Sequence, residues 1–388
     1  MLGPLNNVHV EHMAIAVHSR GYDVVVAGET WGDAQDSTLA DHGIPVHERT
    51  WPTARWMRRL FRETRPDVVH AHWMPIAAQA LLYGAQPLLA TAWGSDVFLA
   101  GRRQKATYRL LVRHADVVMA DSAALAQALN DLGAPADRTM VLGWGVDLQA
   151  FSPARTPRGE IREALGLPPG PVILSPRLLR ELYNPKVILH AFERVAAERD
   201  DVTLVLKHLG HETPDVGAIR YPERVRIVGH VSYERMADYY RAADVCVSIP
   251  SSDSSPRSVW EAMGCGAPCI LSDLPWVDEL IRDEQHALVV PISEEAVADA
   301  MRRLLSDQAL ADQMAREGRH LVEEHRDAQK ELDRLCSLYE RLADNRSHRT
   351  LRDGIGAVAA AAATGRARAK RALSERIRGP HGQRSGGY

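Results

Sequence analysis

Apolar positions in this chain fall into two alternating registers. Short runs rich in Val, Ile and Leu read as buried strands, and the longer segments between them repeat their apolar residues at helical spacing. In the first half, strands are expected at 24–27, 44–47, 67–71, 88–92, 117–120 and 140–142. Helices are expected at 8–20, 53–64, 102–114 and 122–132, the first ended by Gly21 and the last opened by Ser122 as N-cap. Strands that alternate with helices belong to a parallel sheet covered on both faces. A doubly wound domain of this kind ordinarily opens with a buried strand and a glycine-rich turn, whereas Met1 to Asn7 reads as loop. The first strand is therefore expected to be missing, either because translation starts upstream or because the sheet lacks it.

The periodic pattern breaks at Gly143, Gly145 and Pro153 and then resumes. Strands are expected at 172–175, 202–206, 225–231, 245–249, 269–271 and 287–290, and helices at 160–165, 185–198, 233–242, 277–282, 294–305, 309–317 and 326–343. Two complete α/β patterns on either side of a crossing predict two Rossmann-like, doubly wound domains, at 1–150 and 151–345. Residues 346–388 are different in kind: alanine-rich at 354–363, basic at 366–378, and rich in Gly, Pro and Ser at the end.

Composition changes this picture mainly at the tail. The chain has 388 residues, 45% hydrophobic and 25% charged, as an ordinary globular protein does. Its net charge of −3 hides an asymmetry, because eight Lys/Arg against two Asp/Glu from Leu351 onward give +6 and leave −9 for the rest. A solvated, partly disordered tail open to peripheral contact with an anionic membrane surface is expected. Aromatic residues do not interleave the tail's arginines, so nucleic-acid binding is not expected. No apolar run reaches the length of a membrane span and no signal peptide opens the chain, which predicts a cytoplasmic protein, membrane-associated at most. Cys246, Cys265, Cys269 and Cys336 lack the spacing of a zinc set and read as reduced thiols.

Candidate chemistry concentrates in one stretch, 245–270. An apolar strand there runs into a loop of serines with Pro250, Asp253 and Pro256, and the loop runs into a helix carrying Glu261. The carboxyl end of a parallel strand, followed by a helix with unpaired amides, is where open α/β folds hold anionic ligands. Asp253 and Glu261, with seven residues between them, put one carboxylate on the loop and one on the helix, and acceptor groups of this kind suit sugar hydroxyls. Further polar residues mark other strand ends: His72, then Trp93, Gly94 and Asp96 in the first half, and Arg177 and Lys207 in the second. A guanidinium at such an end can fork onto a diphosphate.

The stretch resembles the acidic, seven residues, Glu motif of family 4 retaining glycosyltransferases, with Ala262, Met263, Gly266 and Pro268 matching the run that follows it. His70 to Trp73, Thr91 to Asp96, Gly145-Val146-Asp147 with Phe151 and Pro153, and Val225, Gly229 and Val231 resemble further family elements. Departures are Asp253 for the more frequent Glu, Trp93 for a His that contacts the donor sugar, and Leu182-Tyr183 where a Lys and a Gly follow the arginine matched by Arg177. The resemblance implies an α/β protein of GT-B architecture whose last helix crosses back onto the first domain. It implies transfer of a hexosyl group from a nucleotide-sugar donor to a sugar, lipid-linked or small-molecule acceptor, with retention. Arg177, Lys207, Asp253 and Glu261 are then the catalytic candidates, Lys186 competing with Lys207 as the second cation on the diphosphate. Donor and acceptor contacts are expected from His72, Trp93, Gly94, Asp96 and Gly229, and from the loop residues Ser252, Ser254, Ser255, Pro256, Ser258 and Val259. No Asp-x-Asp occurs in the chain, so no metal and no cofactor is expected.

Two other readings remain at this stage. A non-catalytic nucleotide-sugar binder or scaffold is motivated by the missing strand, Trp93 and Leu182. A dehydrogenase would suit the winding, but no G-x-G-x-x-G follows a strand.

Overall fold

The computed structural model describes residues 1–31, 37–51, 53–208, 218–229 and 231–346, so the basic tail lies outside the described residues. The first half contains α1 (Val8–Ser19), β1 (Val26–Gly28), β2 (Val46–Glu48), α2 (Thr53–Thr64), β3 (Val69–His72), α3 (Met74–Leu82), β4 (Leu88–Thr91), α4 (Ser95–Phe98), α5 (Arg102–His114), β5 (Val117–Ala120), α6 (Ala123–Asp131) and β6 (Thr139–Val141). The second half contains α7 (Arg158–Ala164), β7 (Val172–Ser175), α8 (Pro185–Ala196), β8 (Thr203–Lys207), β9 (Val225–Val228), α9 (Tyr233–Ala242), β10 (Val245–Ser248), α10 (Arg257–Gly264), β11 (Cys269–Ser272), α11 (Val277–Leu280), β12 (Leu288–Val290), α12 (Glu294–Ser306), α13 (Gln308–His325) and α14 (Ala328–Arg346). Every strand pairing is parallel. The central strands β3, β4, β5, β7, β8, β10 and β11 are short, mostly apolar runs buried on both sides, as a doubly covered sheet requires, while β2, β6 and β9 are partly exposed.

The place of the expected missing strand is filled, which corrects that expectation. Leu2 bridges in parallel to Ala27 on one side and Ala71 on the other, and so joins the β1–β2 pair to the β3-β4-β5-β6 sheet. Four main-chain bonds hold the stub: Leu2 N to His70 O, His72 N to Leu2 O, Gly3 N to Ala27 O and Ala27 N to Met1 O. A strand reduced to one bridging residue carries no periodicity, so its pattern cannot be read from sequence.

The second sheet runs β12-β11-β10-β7-β8-β9. The chain enters at β7, winds outward to β9, and returns to β10 on the other side of β7. That reversal opens a crevice between the carboxyl ends of β7 and β10, the place where open α/β sheets bind ligands. The first sheet reverses in the same way between the Leu2 stub and β3.

Two strands of chain cross between the halves side by side. Val146 N donates to Arg326 O at 2.7 Å and Ala328 N donates to Val146 O at 3.0 Å. Beyond this crossing α14 returns to the first half, where Leu332, Leu335, Leu338, Tyr339 and Leu342 share a core with Val10, Ala14 and Val17 of α1. Tyr339 Oη lies 2.6 Å from His70 Nδ1, and Thr91 Oγ1 lies 2.6 Å from His70 Nε2, so this buried imidazole is satisfied at both nitrogens. No described helix is long and apolar enough to cross a membrane.

Candidate active site

The crevice of the second sheet gathers most of the charged candidates. Arg177, two residues past β7, donates from Nη2 to Asp253 Oδ2 at 2.6 Å and from Nη1 to Ser258 Oγ at 3.2 Å. Its guanidinium also stacks 4.2 Å from the centroid of the Tyr183 ring. Burial would lower the Arg177 pKa, but Asp253 and Tyr183 outweigh it and the group is held above its ordinary value. Asp253 receives a second bond at Oδ1 from the Ser254 amide, 2.8 Å away, which fixes the carboxylate in the loop before α10.

Glu261, on the second turn of α10, is buried. Tyr240 Oη donates to its Oε2 at 3.2 Å, and Arg257 Nε lies 2.9 Å from Oε1 as an ion pair not aligned as a hydrogen bond. Burial raises the Glu261 pKa, against the pull of Arg257 and Lys207. Lys207 ends β8 and feels both Glu261, which favours its charge, and Arg177, which opposes it; burial is the larger effect and lowers its pKa. Gly229 follows Val228, the ladder partner of Lys207, and is exposed. Lys186 is exposed at the second position of α8.

Ser254, Ser255, Pro256 and Val259 are buried, while Ser252 and Ser258 are half-buried. Ser255 has φ 79°, a left-handed conformation that costs a serine energy. Its hydroxyl accepts from Trp260 Nε1 at 2.9 Å, which helps hold the bend that leads into α10.

The first half supplies the opposite wall. His72 ends β3 fully buried, stacked on His70 at 4.1 Å, and neither of its ring nitrogens has a hydrogen-bond partner among the described residues. Burial, reinforced by the terminal amine, lowers its pKa to about 3, so the ring is neutral. Trp93 packs edge-on to His72 and His9. Asp96 is turned to the backbone: its two oxygens accept from Met74 N at 2.8 Å and Trp93 N at 2.9 Å, and burial lifts its pKa to about 6. Gly94 has φ 87°, and a Cβ there would lie 2.4 Å from Ser254 Oγ, so the close approach of the two halves requires glycine.

Several residues of the cleft were not singled out by sequence. Asp121 follows β5, accepts from Ser254 Oγ at 2.6 Å and from Trp144 Nε1 at 2.9 Å, and so ties the halves together; the strand-end rule that selected His72 would have found it. Glu279 accepts from the amides of Ala123 and Ala124 at 2.8 and 2.7 Å, a carboxylate of one half on the helix N-terminus of the other. Arg257 donates to Tyr233 Oη and lies 3.3 Å from His12 Nδ1. His9 packs at 4.7 Å on Trp144, its pKa lowered by burial first and then by Arg257, His12, Arg177 and His72. The loop-like start of the chain gave no hint that α1 faces this cleft. Three cations, Arg177, Lys207 and Arg257, thus meet two carboxylates, Asp253 and Glu261, beside a wall of imidazole and indole rings.

Comparison with known proteins agrees with this arrangement. Residues 157–321 match the family described as glycosyl transferases group 1, and residues 7–150 match glycosyltransferase family 4. A Bacillus subtilis protein, TuaC, whose name assigns it to teichuronic acid biosynthesis as a glycosyltransferase, is 30% identical over 289 residues, 72% of this chain and 72% of its own. Sucrose-phosphate synthase from Thermosynechococcus elongatus superposes with a TM-score of 0.73 at 19% identity, over 88% of this chain and 98% of that one. Anabaena Alr3699/HepE, solved in complex with UDP-glucose, superposes at 0.71 and 18% identity, over 90% and 98%. Both halves matched and both sheets wound in the same order lead to one conclusion: the chain is a glycosyltransferase of GT-B fold and belongs to family 4, group 1.

Proposed function

We propose that this enzyme moves a hexosyl group from a nucleoside-diphosphate sugar to an acceptor hydroxyl, with retention at the anomeric carbon and without a divalent ion. The observation that carries the reading is the convergence of Arg177, Lys207, Asp253 and Glu261 at the switch point of the second sheet. Breaking the bond to the anomeric carbon leaves growing negative charge on the departing diphosphate oxygens. Arg177 and Lys207 are the groups on hand to meet it, helped by the amides that open α10. Glu261 would accept from ribose hydroxyls and Asp253 from hydroxyls of the transferred sugar, the Arg177 bond keeping the Asp253 carboxylate oriented.

Trp93, His72 and Gly94 face this group from the first half and line the acceptor side, with Asp96 holding the two loops that carry them. The backbone at Gly229 and the loop residues Ser252, Ser254, Ser255, Pro256, Ser258 and Val259 would frame the nucleotide and phosphates. Retention is supported by the Asp253-to-Glu261 spacing, which resembles that of retaining enzymes. A nucleotide sugar as donor is supported by the Anabaena structure, whose named ligand is UDP-glucose.

Purified full-length protein screened against a panel of nucleotide sugars tests the reading. One donor should raise the melting temperature and be consumed, with release of nucleoside diphosphate, when acceptor is added. A folded protein that no nucleotide sugar stabilises and that releases no diphosphate would contradict it.

A further inference from the structure

Charge is distributed unevenly over the first half. The whole chain carries 47 Lys/Arg against 50 Asp/Glu. Residues 49–115 alone hold eleven Lys/Arg against three Asp/Glu. Of those three acids, Asp96 is buried on main-chain amides and Glu63 is paired with Arg59.

The fold turns most of these cations to one side. On α2, Trp56, Met57 and Leu60 enter the core, while Arg55, Arg58, Arg59 and Arg62 are exposed. On α5, Tyr108, Leu111 and Val112 enter the same core, while Arg102, Arg103, Arg109 and Arg113 are exposed and the helix contains no acid. Beside α5 and covering the same sheet face runs α3, which has no charged residue at all.

Apolar exposure falls in the same stretch of the chain. The three most exposed large apolar side chains of the described residues are Trp51 at 78%, Leu99 at 60% and Leu82 at 43%, and all lie within the same segment, at the entry to α2, after α4 and at the end of α3. Trp51 is capped by the Arg49 guanidinium, 4.9 Å from its ring.

We infer that the face formed by α2, α3 and α5 docks on an anionic lipid bilayer. Arginines around protruding Trp and Leu side chains match a headgroup layer in which anionic lipids meet the cations and the apolar tips reach the acyl boundary. A polynucleotide would engage the arginines but has no use for two exposed leucines. The N-termini of α3 and α4 follow His72 and Gly94, so on the proposed transferase reading the docked face would hold the acceptor side of the cleft at the membrane.

The test is co-sedimentation of the full-length chain with vesicles of phosphatidylcholine alone and of phosphatidylcholine mixed equally with phosphatidylglycerol, which does not depend on activity. Binding is expected to the mixed vesicles only and to weaken with salt. Each arginine at such a surface contributes about fivefold, so the triple variant Arg55→Glu, Arg58→Glu, Arg62→Glu should bind roughly a hundredfold more weakly, or less. Its melting temperature and its turnover of a soluble acceptor should match wild type. The pair Arg102→Glu, Arg103→Glu on a different helix should weaken binding in the same direction, which guards against a folding defect in either variant. Replacing tail residues Arg366, Arg368 and Arg371 with Ser should leave most of the binding. Wild-type binding in both helix variants, equal binding to neutral vesicles, loss of binding in the tail variant alone, or tighter binding to RNA than to the mixed vesicles would each overturn the inference.

Discussion

Arg177 Nη2 donates to Asp253 Oδ2 at 2.6 Å, so the cation that follows β7 and the carboxylate that follows β10 meet across the reversal of the second sheet. An arginine held in this way has little freedom left to lose when charge develops beside it. Arg177→Ala should lower turnover by about two orders of magnitude, equivalent to about 3 kcal/mol, with a smaller change in KM. Arg177→Lys should not restore the rate, because a point charge cannot bond Asp253, Ser258 and a phosphate oxygen together. Steady-state kinetics of the two variants check this, and full activity in Arg177→Lys would remove the fork from the account.

Lys207 and Lys186 make opposite predictions. Lys207 is within electrostatic reach of Glu261 and Arg177, whereas Lys186 is exposed at the start of α8. Lys207→Ala should lose turnover on the scale of Arg177→Ala, and Lys186→Ala should stay near wild type. The reverse ranking would transfer the second diphosphate cation to Lys186.

Chelation bears on the same charges. Turnover measured in excess EDTA should equal turnover without it, since Arg177 and Lys207 are proposed to take the place of a divalent ion. A strict need for added Mg²⁺ or Mn²⁺ would contradict that division of labour.

Acid should destabilise the fold through its buried imidazoles. The His72 pKa falls from the ordinary 6.5 to about 3, so between these values the unfolded chain binds a proton that the folded chain refuses. Stability is therefore lost as pH falls through this window, by roughly 5 kcal/mol at its full extent for a fully buried group. His9 and His70, also lowered by burial, act in the same sense. Asp96 acts in the opposite sense: its pKa is raised from 3.8 to about 6, so its contribution is present at low pH and lost as pH rises through that range. Urea midpoints of wild type and His72→Leu measured from about pH 7 down to about pH 4 should diverge as the medium becomes more acidic, the variant losing less. Parallel curves would mean that His72 is not held neutral.

Much of the architecture was open to reading because buried parallel strands leave uninterrupted apolar runs, and the strands from β3 onward fall where those runs lie. Strand-end logic likewise pointed to Arg177, Lys207 and Asp253, which the fold does bring together. The Leu2 stub escaped because a single bridging residue has no period, and with it went the position of α1 and of His9 and His12. Arg257 escaped for a different reason. A cation in the first turn of a helix runs against the dipole, and only the folded chain shows Glu261 one turn on, with Tyr233 across from it, to hold it there. Asp96 illustrates the limit of motif matching, since both its oxygens serve main-chain amides that shape the loops.

The central claim is tested most directly by the anomeric configuration of the first product. Proton NMR of a reaction followed from its start, with an α-linked nucleotide sugar as donor, should show the small anomeric coupling of an α-glycoside, formed at the rate of nucleoside-diphosphate release and abolished together with it in Arg177→Ala. A β-configured first product would contradict retention, and with it the roles assigned to Asp253 and Glu261.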